Sequence, residues 1–214
     1  MALNSTIRKG RKHDQVLAGA REVFLRDGFE AASVDDIARA AQVSKATLYS
    51  YFPDKRLMFV AVAEREGRRQ ADEALAALDM AAPADALLRQ AADCIVRFFL
   101  SDFGSQMHRL YIGEAARFPE LAQHFWDTGP GLLRARLRIV FDALVTRGAL
   151  RLDDPELAAD QFAELCKSSL LPRRLFGLAD RFSDADIARV VDGATAMFLA
   201  RYGVAPAAAA ASLA

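Results

Sequence analysis

Ser33-Val34-Asp35-Asp36-Ile37-Ala38-Arg39-Ala40-Ala41-Gln42-Val43-Ser44-Lys45-Ala46-Thr47-Leu48-Tyr49-Ser50-Tyr51-Phe52-Pro53-Asp54-Lys55 is the stretch whose reading decides the fold. Two serines stand where helices can open. Ser33 has Asp36 three residues on, a shortened capping box, and Ser44 precedes a run of helix formers. A serine oxygen at such a position accepts from the unpaired amides of the first turn. Ile37, Ala38 and Ala41 supply one buried side, and Gln42-Val43 make a tight turn. A second short helix is predicted from Lys45 to about Tyr51. It must stop before Pro53, because a proline pushes its predecessor out of the helical region. Leu48 and Phe52 are the expected core of this unit.

Working outward, Val16, Leu17, Ala20, Val23 and Phe24 recur at helical spacing and predict an amphipathic helix beginning near His13. Gly28 suits a left-handed cap at its end, with Phe29 packing back. Downstream, a fourth helix is predicted from about Asp54 through Leu57, Val60, Ala61 and Val62 towards residue 78. Two short helices joined by a tight turn, with a longer helix on each side, have the layout of a helix-turn-helix. Helical hairpins of this kind also occur in unrelated all-α proteins, so the spacing alone leaves function open.

The remainder reads as helix throughout. Apolar residues make up 53% of the chain, with only 12 glycines and 7 prolines, which favours long regular elements and an all-α class. Helices are predicted from Ala84 to about Phe103, from Gln106 to Phe118, from Pro119 to near Gly129 and from Pro130 to Arg147, stopping at Gly148. Asp154 with Pro155 opens another, through Phe162, Leu165, Cys166 and Leu170, with a kink or end expected at Pro172. Ser183 with Asp186 opens the last, which runs to about Tyr202. The organisation expected is a flexible basic arm (1–11), a helix-turn-helix domain (12–60), a helical regulatory and dimerisation domain (61–204) and an Ala-rich tail (205–214).

Net charge is zero, but it is unevenly spread. Residues 1–56 hold 10 Lys/Arg against 7 Asp/Glu, and residues 57–214 hold 18 against 21. The basic excess is densest at Arg8, Lys9, Arg11 and Lys12. That asymmetry fits a nucleic-acid arm followed by a body that leaves DNA alone, or equally a solubilising tail. Cys94 and Cys166 lie far apart inside apolar patterns and read as free thiols in a reducing compartment. No apolar run resembles a signal peptide or a membrane span, so a soluble cytoplasmic protein with no membrane association is expected. His13, His108 and His124 lack metal-ligand spacing, and Asp153-Asp154 reads as a loop and cap. No metal, no cofactor and no enzymatic activity are therefore expected.

Residues 33–55 closely resemble the TetR family of bacterial regulators. The resemblance is carried by Ser33 to Ala38, Val43 to Tyr49 and Tyr51 to Lys55, and is completed by the Val16–Phe24 stripe with Gly28-Phe29. Glu114 to Leu121, Gly129-Pro130 and Asp153 to Ala159 resemble one C-terminal subgroup, the AefR-like one. Two departures stand out. Gln42 occupies a turn position where the family usually has glycine, and Ala32 stands where threonine is common, which puts one phosphate contact in doubt.

The resemblance implies double-stranded DNA as partner, with Lys45–Tyr51 as the recognition helix. Lys45, Ala46 and Thr47 would face base edges, where lysine can donate to guanine and threonine or alanine can meet a thymine methyl. Ser33, Ser44, Tyr49, Tyr51 and Lys55 would contact the backbone or groove wall. Either tyrosine could instead pack the small core. The resemblance also implies a homodimer formed through the last two helices. There the face of Ile187, Val190, Val191, Ala194, Met197 and Phe198 is the expected seam, or else intramolecular core. It implies as well a pocket for a small apolar or aromatic effector, with Phe99, Phe103, Met107, Tyr111, Trp126, Leu137, Phe141, Phe162 and Cys166 as expected lining. Most aromatic stripes at helical spacing are core. A palindromic operator and a repressor released by its effector follow from this. An activator, or a regulator without a small-molecule effector, fits the same residues.

Overall fold

The computed structural model describes residues 10–115 and 119–204, and of 114, 115 and 119–122 the backbone alone. Most of the basic arm, the Ala-rich tail and the Glu114–Leu121 side chains of the subgroup motif therefore lie outside the described residues. The regular elements described are all α-helices. They are α1 (Arg11–Ala31), α2 (Val34–Ala40), α3 (Lys45–Tyr51), α4 (Lys55–Ala77), α5 (Ala84–Leu100), α6 (Asp102–Ala115), α7 (Pro119–Thr128), α8 (Pro130–Thr146), α9 (Pro155–Lys167), α10 (Leu170–Leu175) and α11 (Asp184–Tyr202). The all-α expectation holds. Leu150 and Gly203 form an isolated antiparallel bridge, which the sequence did not signal. The chain divides into two compact units, residues up to Arg69 and from Gln70 onward, with the division inside α4.

In the first unit, Val16, Ala20 and Val23 on α1 are fully buried with Ile37 of α2 and Leu48 of α3. The α1 and α2 backbones approach so closely at Gly19 that a Cβ there would lie 2.4 Å from the Ala41 amide nitrogen. Phe24 and Phe29 each meet Phe59 edge-on, at 5.1 Å between ring centroids. Gly28 has φ 77° and ψ 174°, which is not the left-handed cap expected but a more extended conformation that only glycine reaches readily. It splits α1, turning Phe29 back onto the core.

The turn after α2 is a Schellman motif. Val43 N–H donates to Ala38 O at 3.0 Å and Gln42 N–H to Arg39 O at 3.1 Å. Gln42 sits at its left-handed position with φ 53°. A side chain is strained there by about 1 kcal/mol, which glycine would relieve. Gln42→Gly is therefore expected to raise the melting temperature by about 2–4 °C, read by circular dichroism. An unchanged or lower value would show that the strain is absorbed elsewhere.

The second unit is built around α5, α8, α9 and α11, whose buried faces form one cluster containing Leu87, Leu88, Phe141, Phe162 and Phe198. Phe198 stacks on Phe141 and meets Phe162, each at 4.9 Å. The expected dimer face is corrected here. Ile187, Val190, Val191, Ala194 and Phe198 are buried within the single chain, because α11 lies against α5 and α9 and its apolar side faces their core. Only Met197 of that set is exposed, at 63%.

Two helix boundaries also differ from expectation. α5 ends at Leu100 because Ser101 turns the chain and caps α6, its Oγ accepting from Gly104 N–H at 3.0 Å. The apolar run through Phe103 hid that boundary. α9 ends at Lys167, and Ser169 takes a positive φ of 67°. Pro172 falls in the first turn of α10, where a missing N–H costs nothing, so it does not break α9. Ser183 with Asp186 opens α11 as predicted, and the two residues form a capping box.

Candidate nucleic-acid interface

α3 is a short helix held by one side. Leu48 and Phe52 are buried, and Ser44 Oγ accepts from Thr47 N–H at 3.1 Å to start the helix. The Ser44 and Thr47 hydroxyls also lie 2.9 Å apart, so each has a hydrogen-bond partner before any ligand arrives. The opposite face carries Lys45, Ala46, Tyr49 and Ser50, all exposed. Tyr49 stands 48% exposed. Tyr51 behaves differently. It is half-buried and meets the buried His13 of α1 edge-on, at 5.7 Å between ring centroids, and His13 in turn stacks on Phe52. The two tyrosines thus divide between surface and packing.

The remaining candidates are engaged. Ser33 Oγ accepts from Asp36 N–H at 3.0 Å and donates to its carboxylate at 2.6 Å, so its one hydroxyl proton is already committed. That bond, followed by Arg39, holds the Asp36 carboxyl below its ordinary pKa. Lys55 Nζ donates to Glu30 O and Ala32 O at 3.2 Å each, 4.6 Å above the Phe29 ring. It thereby closes the end of α1 over Phe29, a structural task that its phosphate-binding expectation did not include.

Sequence reasoning missed Asp35. Its carboxylate on α2 lies 2.5 Å from Lys45 Nζ, and this bond raises the Lys45 pKa. The pairing depends on the Schellman turn bringing α2 and α3 together, so spacing along the chain gave no signal. Both side chains are exposed, and the pair competes with any anion for the lysine. Asp35→Asn is expected to bind duplex DNA of any sequence about three- to tenfold more tightly at low salt, the gain shrinking as salt rises. A fluorescence anisotropy titration reads this. Equal affinity of the two proteins would show that Asp35 does not restrain Lys45.

Among the described residues, no group of His, Cys, Asp or Glu side chains could hold a metal, and no helix is long and apolar enough to cross a membrane.

Comparison with known proteins agrees with this geometry. The family model for bacterial regulatory proteins of the tetR family matches residues 16–62, and that for the AefR-like transcriptional repressor C-terminal domain matches residues 86–204. The chain belongs to the TetR family. A TetR-family regulator from Mesorhizobium loti superposes with a TM-score of 0.73 at 26% identity, covering 92% of this chain and 99% of that one. The flavonoid-responsive regulator FrrA does so at 0.65 and 31% identity, covering 92% and 100%. Among curated relatives, the regulator EthR of Mycobacterium tuberculosis is 32% identical over 63% of this chain and 62% of its own length. The activator FasR of Mycolicibacterium smegmatis is 40% identical over 27% of this chain and 26% of its own length. As a TetR-family protein the chain is a DNA-binding regulator and not an enzyme.

In this TetR-family chain the expected effector lining falls into three groups. Leu137, Phe141, Phe162 and Cys166 belong to the closed core of the second unit. Burial pushes the Cys166 thiol up to about 12, which makes it inert. Phe103, Met107 and Tyr111 are buried on one side of α6, with Tyr111 stacked on Phe125 at 3.8 Å and Phe99 half-buried on α5. Trp126 is corrected. It is 52% exposed, with the Arg134 guanidinium 5.8 Å from its ring, and stands on the surface rather than along an interior wall.

Proposed function

We propose that the protein is a homodimeric repressor of a palindromic operator, reading bases with Lys45, Ala46 and Thr47 and released by a small apolar or aromatic effector. The observation that carries the reading is the exposed face of α3, where Lys45, Ala46 and Tyr49 stand clear of a helix pinned by Leu48. A helix presented in this way enters the major groove by its N-terminal residues. Tyr49 would touch the groove wall. Lys55 would keep its two internal bonds and give its third N–H to a phosphate, Ser33 and Ser44 would reach phosphates only by turning their hydroxyl protons out of the bonds they make within the chain, and Tyr51 would buttress α3 through His13.

One such module is too small for tight specific binding, and two-fold pairing doubles the contact. With the inner side of α11 buried, a partner would meet its outer side, where Met197 lies; Phe176 and Leu178, in the connection from α10 to α11, are also exposed, at 80% and 71%. An apolar or aromatic effector is supported by the half-buried Phe99 of α5 beside the buried Phe103 and Tyr111 of α6, and by the flavonoid responsiveness of FrrA. An effector that favours the DNA-incompetent state by about 1–3 kcal/mol would weaken operator binding roughly 5–150-fold.

The test is selection of bound duplexes from a random-sequence pool, followed by the mass of the complex in sedimentation. A palindrome with half-sites about one helical turn apart, bound by two or four chains, is expected. An asymmetric site bound by one chain would overturn the dimeric reading, and the absence of any enriched sequence would overturn the regulator reading itself.

A further inference from the structure

A small polar cluster interrupts the aromatic layer where α5, α6 and α9 meet. Lys167 on α9 holds its ammonium 5.3 Å from the centre of the Phe99 ring on α5, with only 19% of its side chain exposed. His108 on α6 meets the same ring edge-on at 6.1 Å. Lys167 is paired with Glu164, one turn earlier on its own helix, whose side chain is 72% exposed. The imidazole makes no hydrogen bond among the described residues. Burial first, and the neighbouring Lys167 ammonium second, lower its pKa, against a smaller opposite pull from Glu164. Phe103 and Met107 continue the apolar surface along α6.

A lysine with only a packing role extends its stem along apolar surface and keeps its head in water. Lys167 instead directs its charge at an aromatic face, beside a half-buried histidine with donor capacity to spare. Its counter-ion is an exposed surface carboxylate that a better-placed anion could displace. We propose that Lys167, His108 and Phe99 form the polar end of the effector site and select a planar aromatic molecule bearing an anionic oxygen. The ring system would lie along Phe99 and Phe103. The anionic oxygen would replace the Glu164 carboxylate on Lys167 Nζ, and His108 would donate a hydrogen bond to the molecule. This rests on the effector-responsive reading above and specifies its ligand.

The probes are 2-naphthoate and the uncharged isostere 2-naphthamide, titrated calorimetrically into the full chain at a pH where the carboxylate is ionised. Naphthoate is expected to bind at least about tenfold more tightly, the scale of one charge-assisted hydrogen bond. Lys167→Gln should bring the two affinities together by weakening naphthoate alone. Glu164→Gln should strengthen naphthoate, because it removes the competing carboxylate. Were Glu164–Lys167 only a surface ion pair, Glu164→Gln would leave naphthoate affinity unchanged. Equal binding of the two probes by the unaltered chain, no binding of either up to its solubility limit, or a naphthoate preference that survives Lys167→Gln would overturn the proposal. Operator binding by the same preparations without probe reads the regulator function separately, so loss of that function and loss of this site are distinguishable.

Discussion

Ala46→Glu is expected to abolish specific DNA binding, with a loss of more than about 100-fold in affinity, while leaving the fold intact. Ala46 lies on the exposed face of α3 between Lys45 and Thr47, so the glutamate enters no packed space. Its carboxylate would meet phosphates and the acceptor-rich edge of the major groove, and like-charge juxtaposition at an interface costs several kcal/mol. An exposed helical Ala-to-Glu change alters stability by about 0.5 kcal/mol or less, so the melting temperature should barely move. Anisotropy titration and a thermal melt on the same preparation separate the two effects. Retained affinity with an unaltered melt would remove α3 from the interface.

Phe198→Ala is expected to destabilise the chain by about 3–5 kcal/mol, the range for deleting a fully buried aromatic side chain. The ring is 1% exposed, stacks on Phe141, meets Phe162 edge-on and lies 4.8 Å from Tyr202. Its loss leaves a cavity bounded by three aromatic rings on different helices, which cannot all collapse into it. The melting temperature should fall by on the order of 10 °C, and by the same amount at every protein concentration. A shift that grew on dilution would instead place Phe198 at a seam between chains, since dimer stability depends on protomer concentration. Met197→Ala, one residue away and exposed, should leave the stability of a single chain nearly unchanged.

The helix-turn-helix was legible because each of its signals is local. Ser33 and Ser44 cap the amides they were expected to cap, Pro53 ends α3, and Gln42 adopts the left-handed backbone that a glycine-preferring position implied. Signals that depend on tertiary contact were not legible. The Asp35–Lys45 pair, the Lys55 bonds to the end of α1 and the His108–Phe99–Lys167 cluster each join residues on different elements.

The later helices show a second limit. An apolar face does not say what covers it. The stripe from Ile187 to Phe198 has the period of a helix seam, yet α5 and α9 cover it within the chain. The boundary at Ser101 was hidden because Phe98, Phe99 and Leu100 continue the apolar pattern up to a capping serine. Pro172 attracted the α9 break to itself, although a proline in a first turn is as compatible with starting a helix as with ending one.

Sequence-specific DNA recognition is assigned to α3. The most direct measurement is the affinity of the full chain for its selected duplex and for a scrambled duplex of equal length, each at two salt concentrations. At least about a thousandfold preference for the selected duplex is expected, with both affinities falling as salt rises. Lys45→Ala should narrow that preference, while Lys55→Ala should weaken both duplexes alike. Equal affinity for the two duplexes at both salt concentrations, in a protein with an undisturbed melt, would contradict it.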